Sequence, residues 1–185
     1  MSYFCAVLVF LVGYMGAGKS MGGRRLARRL GCGFVDTDLL LQERAGCSIA
    51  QIFRRDGEPA FRAAEHELIC ELIASSGSSS VVISTGGGLP CHLDSMERMR
   101  AAGVTIYLQL PTEKLVERLD SGRPNDRRPM LSGLSRKALS DRISTHLQER
   151  EPVYKRASMI VDAQEFESQR IESVARMIEA LPKSI

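Results

Sequence analysis

The chain has 185 residues, the length of a single domain. Apolar residues make up 44% and charged residues 25%, which supplies a core and excludes a wholly disordered chain. A net charge of +3 excludes a polycationic protein that coats nucleic acid, while leaving room for a local anion site.

In chain order, Phe4 to Val12 is a continuous apolar run. No basic residue precedes it, it is too short to span a bilayer as a helix, and it feeds into Gly13. It therefore reads as a buried parallel strand over about Cys5 to Val12, with no membrane partner. A helix is expected from Lys19 to about Leu30, then a short strand at Phe34-Val35. Helices follow over about Asp38 to Ala45, Ser48 to Asp56 and Glu58 to Ser75. Val81 to Ser84 is a second buried strand, broken by Gly86-Gly87-Gly88. A helix over Leu93 to Ala102, a strand over Val104 to Leu110 and a helix over Thr112 to Leu119 come next. Ser121 to Gly133 lacks periodicity and reads as a mobile loop. A long helix over about Ser135 to Ala157 should bend or restart at Pro152. Met159 to Val161 is a last strand, and a helix runs on to about Leu181. Strands separated by helices indicate a parallel sheet with right-handed crossovers.

The five cysteines, Cys5, Cys32, Cys47, Cys70 and Cys91, are odd in number and widely spaced, with no C-x-x-C pair. They read as reduced, mostly packed thiols of a cytosolic protein. His66, His92 and His146 form no local metal motif.

The strongest motif is Gly13-Tyr14-Met15-Gly16-Ala17-Gly18-Lys19-Ser20, which satisfies G-x-x-x-x-G-K-[ST] between an expected strand and an expected helix. Its glycines let the backbone curl so that N–H groups converge on phosphate oxygens, and the helix adds its positive end. Lys19 can bridge the β- and γ-phosphates, and Ser20 can ligate Mg²⁺. There is no N-K-x-D sequence for reading guanine, and Val81-Val82-Ile83 does not end in a metal-binding Asp. A small-molecule kinase fits best.

Asp36-Thr37-Asp38 closes the short second strand. In an extended stretch both carboxylates share a face at the carboxyl edge of the sheet, one for the magnesium shell and one for the attacking hydroxyl. A helix N-cap is the competing reading. Arg62 and Glu65 stand at i, i+3 on a helix, which alone predicts a surface ion pair. Gly86-Gly87-Gly88 either brings backbone N–H groups to a ligand or is a flexible turn. Arg150, among many charges, reads alone as a surface residue.

Taken in order, GYMGAGKS, FVDTD, FRAAE, STGGG, RRPML and QEREPVY resemble the shikimate kinase family over nearly the whole chain. The resemblance implies a three-layer α/β P-loop fold like that of nucleoside monophosphate kinases. It has a central five-stranded parallel sheet, a lid and substrate-binding helices. It implies one domain over 1–185, with an acceptor-binding region at about 37–75 and a lid at about 120–133. The implied activity is ATP- and Mg²⁺-dependent phosphorylation of the shikimate 3-hydroxyl in aromatic amino-acid biosynthesis, by a cytoplasmic monomer.

By the same resemblance, Gly13, Gly16, Ala17, Gly18, Lys19, Ser20 and Met21 hold nucleotide, and Met21 stands where the family often has Thr. Asp38 holds the substrate hydroxyls and acts as base, while Arg62 and Arg150 hold the carboxylate. Gly86, Gly87 and Gly88 line the ring, and Asp36 serves magnesium. Arg128 is the lid arginine, with Arg127 beside it as the alternative. Arg118 or Arg123 faces adenine. The second reading is a gluconate- or nucleoside-monophosphate-type kinase.

Overall fold

In the computed structural model, residues 7–77, 79–120, 134–166 and 170–181 are described. Strand β1 (Leu8–Val12) is buried along its whole length, as a strand covered on both faces must be. Leu8, Phe10 and Val12 enter one hydrophobic cluster and Val9 and Leu11 the other, the period of two of an extended chain.

The chain continues through α1 (Lys19–Leu30), β2 (Gly33–Asp36), α2 (Thr37–Ala45), α3 (Ile49–Ser75) and β3 (Val81–Ser84). A single 3-10 turn (Leu89–Cys91) precedes α4 (Ser95–Ala102), β4 (Val104–Gln109) and α5 (Thr112–Asp120). Then come α6 (Arg136–Tyr154), β5 (Met159–Asp162), α7 (Ala163–Phe166) and α8 (Arg170–Glu179). The strands form one five-stranded sheet in the order β2-β3-β1-β4-β5, with every pairing parallel, as expected.

One cluster packs Leu26 of α1, Leu115 of α5, Phe166 of α7 and Val174 of α8 on the sheet. The other packs Ile69 of α3, Met96 and Met99 of α4 and Tyr154 at the end of α6. A third cluster, Leu41, Ile49, Ile52, Phe61 and Leu68, joins α2 to α3 and gives the 37–75 region its own small core. Among the described residues no helix is long and apolar enough to cross a membrane.

Several elements differ from expectation for identifiable reasons. The two helices expected between Ser48 and Ser75 form one run broken at Gly57, whose φ of 80° and ψ of 169° no helix contains and glycine adopts without Cβ strain. Pro152 neither stops nor restarts α6, because it lies two residues before the helix ends at Tyr154. The loss of its N–H there costs one bond. Residues 89–91 make a 3-10 turn, so α4 starts at Ser95 rather than Leu93. The final helix is two helices, α7 and α8. The expected loop at Ser121 to Gly133 lies outside the described residues, as does Cys5.

Candidate active site

The phosphate-binding motif folds into the expected curl between β1 and α1. Gly13, Gly16 and Gly18 have φ of 134°, 86° and 94°, a region that side chains rarely allow. Gly18 precedes α1 without a side-chain cap, and the first turn carries no acidic residue. The amides of that turn are thus presented to an incoming anion. Lys19 is only 8% exposed, and its Nζ donates to the carbonyl oxygens of Gly13 (2.7 Å) and Tyr14 (2.9 Å). The ammonium therefore sits inside the loop it must serve.

Parallel pairing places Asp36 opposite Ser84, at the carboxyl edge of the sheet beside the start of α1. Ser20 Oγ donates to Asp36 Oδ2 at 2.5 Å and lies 3.4 Å from Ser84 Oγ. Asp36 Oδ1 accepts from the amides of Asp38 (3.1 Å) and Leu39 (3.2 Å). The N-cap reading of Asp36 holds: one oxygen caps α2, while the other accepts from the loop serine. The shared-strand reading of Asp36 and Asp38 does not hold. The strand ends at Asp36, and Asp38 lies in the first turn of α2. The cap keeps the pair close, and burial together with the Asp36 charge raises the Asp38 carboxyl above its ordinary range against the pull of Lys19 and Arg62.

Arg62 Nη1 donates to Glu65 Oε2 at 2.5 Å, while its Nε and Nη2 reach Glu58 Oε1 at 3.2 and 3.0 Å. The expected i, i+3 pair exists, but it is no surface pair: the side chains are 13% and 1% exposed. The third small core buries this face of α3. Desolvation pushes the Glu65 carboxyl up to about 7, outweighing the opposing pull of Arg62. Arg150 likewise departs from the surface expectation. Its Nη1 is buried and, among the described residues, has no hydrogen-bond partner, as is Glu65 Oε1. The charges of both arginines act on Glu65 and on Cys91, so they converge on one place. Cys91, expected to be packed, is exposed at this rim.

The triple glycine is demanded by space and not by φ, since none of its members has positive φ. A Cβ on Gly86 would stand 2.8 Å from Asp38 Oδ1 and closer still to Glu65 Oε1. One on Gly87 would stand 3.2 Å from Met15 N, and one on Gly88 2.5 Å from Arg62 Cζ. Gly86 N–H donates to Thr37 Oγ1 at 3.0 Å, so it is not offered to a ligand. Tyr154 Oη donates to Gly87 O at 2.5 Å and fixes the segment from below.

On the other side of the loop, Arg118 Nη1 donates to Gly16 O at 3.3 Å, and Met21 is 47% exposed beside Ser20. Arg123, Arg127 and Arg128 lie outside the described residues. Sequence reasoning missed Thr37, Glu65 and Tyr154 as site residues. All three lie within quoted motifs, FVDTD, FRAAE and QEREPVY, so the motifs carried a signal.

A parallel sheet in this strand order, with the glycine-rich curl and its lysine leading into α1, defines a P-loop kinase. The family model described as shikimate kinase matches residues 15–182. A curated shikimate kinase of Parabacteroides distasonis is 42% identical over 156 residues, covering 84% of this chain and 87% of that protein. The crystal structure of shikimate kinase from Bacteroides thetaiotaomicron superimposes with a TM-score of 0.82 at 37% identity, covering 94% and 96% of the two chains. That of Acinetobacter baumannii, solved in complex with shikimate, gives 0.79 at 28% identity, covering 94% and 91%. The chain belongs to the shikimate kinase family.

Proposed function

We propose that this protein transfers the γ-phosphoryl group of ATP to the 3-hydroxyl of shikimate, giving shikimate 3-phosphate for aromatic amino-acid biosynthesis. Family membership supports the reaction. The observation that carries the acceptor assignment is the convergence of Arg62 and Arg150, one with a buried unpaired nitrogen, beside Asp38 and the phosphate loop. A carboxylate is the ligand for which two guanidinium forks are suited.

In this reading Gly13, Gly16, Ala17 and Gly18 cradle the phosphates and Lys19 leaves its loop carbonyls for the β- and γ-oxygens. Arg118 flanks the adenine, with Met21 alongside. Ser20 Oγ and Asp36 Oδ2 are hard oxygen donors, already adjacent, and fit the magnesium that accompanies the nucleotide. When bound, that ion neutralises charge on the phosphates. Arg62 and Arg150 hold the ring carboxylate, and Gly86, Gly87 and Gly88, lacking Cβ atoms, let Asp38, the phosphate loop and Arg62 close in around the acceptor. Asp38, with its raised pKa, accepts the hydroxyl proton as the new O–P bond forms and the bond to the β–γ bridging oxygen breaks, releasing ADP. Arg128 covers the phosphates from the lid on the family resemblance, with Arg127 the neighbouring alternative.

The four described cysteines are free thiols, consistent with a cytoplasmic setting. The test is a coupled ADP-release assay with shikimate, gluconate and CMP as acceptors, omitting each component in turn. Shikimate-dependent turnover requiring MgATP is expected. Turnover confined to CMP or gluconate would contradict the assignment.

A further inference from the structure

A hydrogen bond ties the helix that carries Arg150 to the phosphate loop. Tyr14, the second residue of the loop motif, is 1% exposed, and its Oη lies 2.9 Å from His146 Nδ1. His146 precedes Arg150 by four residues on α6, and side chains so spaced share a helix face. The Arg150 guanidinium lies 5.9 Å from the centre of the Tyr14 ring, within cation–π reach. One tyrosine thus meets His146 through its hydroxyl and Arg150 through its ring, while its own carbonyl accepts from Lys19.

The groups facing His146 are Tyr14 of the loop, Arg142, Arg150 and Glu149 of its own helix, and Glu58 of α3. Burial, with the two arginine charges, lowers the imidazole pKa, and burial raises the Tyr14 phenol to about 12. Near neutral pH a protonated phenol therefore faces a neutral imidazole, the pairing in which each group can satisfy the other. Filling the space beneath the loop needs only a ring. A hydroxyl aimed at a ring nitrogen also fixes where α6 stands.

We propose that the Tyr14–His146 hydrogen bond is a positioning link that holds α6 against the phosphate loop and so aims Arg150 at the acceptor. The inference rests on the acceptor reading of Arg150 given above and adds two residues to that site. Neither touches substrate, and both act through Arg150.

The test compares Tyr14→Phe, His146→Leu, His146→Asn and the double variant Tyr14→Phe/His146→Leu in steady-state assays, with melting temperature measured for each. Tyr14→Phe and His146→Leu should each raise the shikimate KM about 3- to 10-fold, with the ATP KM changed less than about twofold. His146→Asn, which can place an amide oxygen near the Nδ1 position, should recover most of the wild-type KM. The double variant should be no worse than the worse single variant, because both remove the same bond. A shikimate KM within twofold of wild type in the folded single variants would overturn the proposal. So would multiplicative effects, or a fall in melting temperature and kcat with the KM untouched. Absence of shikimate turnover in the wild-type enzyme would instead defeat the functional reading beneath it.

Discussion

Gly88→Ala isolates the acceptor clamp. Gly88 has φ of −90° and ψ of −22°, which alanine adopts freely, so the substitution adds no backbone strain. Its Cβ, however, would lie 2.5 Å from Arg62 Cζ and 2.7 Å from Arg62 Nη2, where ordinary contact is 3.4–4 Å. The guanidinium must therefore retreat by roughly an ångström, the shortfall between those separations. That movement disturbs the 2.5 Å bond to Glu65 and misaims the fork at the carboxylate. A bond to a charged group contributes about 1.5–3 kcal/mol, so the shikimate KM should rise about 10- to 100-fold. The ATP KM should move little. Gly87→Ala provides the contrast, because its Cβ presses on Met15 N at 3.2 Å in the phosphate loop, and its effect should fall chiefly on ATP. Both are read in the coupled ADP-release assay at saturating co-substrate, with melting temperature as the control for folding. An unchanged shikimate KM for Gly88→Ala, or equal rises for both substrates, would refute the placement of Arg62 at the acceptor.

Lys19→Ala should lower kcat by about 10²- to 10³-fold with the fold retained, since it removes a charge aimed at the transferring group, and single-turnover kinetics check this. Asp38→Asn keeps the size and removes the charge. Wild-type turnover in that variant would exclude Asp38 as the proton acceptor. Glu65 has a folded pKa raised to about 7 from 4.5, so its contribution to stability is present in full below pH 4.5 and is lost as pH rises through 7. Glu65→Gln should accordingly flatten the dependence of melting temperature on pH across that window, and an unaltered slope would count against a buried, strained carboxylate there.

The sheet and the loop were legible in the sequence because each rests on a local rule. Val81 to Ser84 is a buried run, and the glycine spacing of the loop has one physical use, which Gly13, Gly16 and Gly18 meet with positive φ. What local rules did not carry was the burial of individual charged side chains, which is set by packing between distant segments. Arg62 and Glu65 look like a solvated pair until Leu41, Ile52 and Phe61 are seen to bury the face beside them. Arg150 looks like one charge among many until α6 is laid against Tyr14. The pairing of Asp36 with Asp38 was right in proximity and wrong in cause. A helix cap, rather than a strand pleat, holds them together. Tyr154 gave no period and no spacing, since its partner is a backbone carbonyl 67 residues away.

The most direct test is a crystal structure of the protein with shikimate and MgADP. The ring carboxylate should lie between the guanidinium groups of Arg62 and Arg150, with a ring hydroxyl on Asp38 and the ADP phosphates in the curl from Gly13 to Ser20. Shikimate bound elsewhere, or a carboxylate that neither arginine touches, would contradict the account.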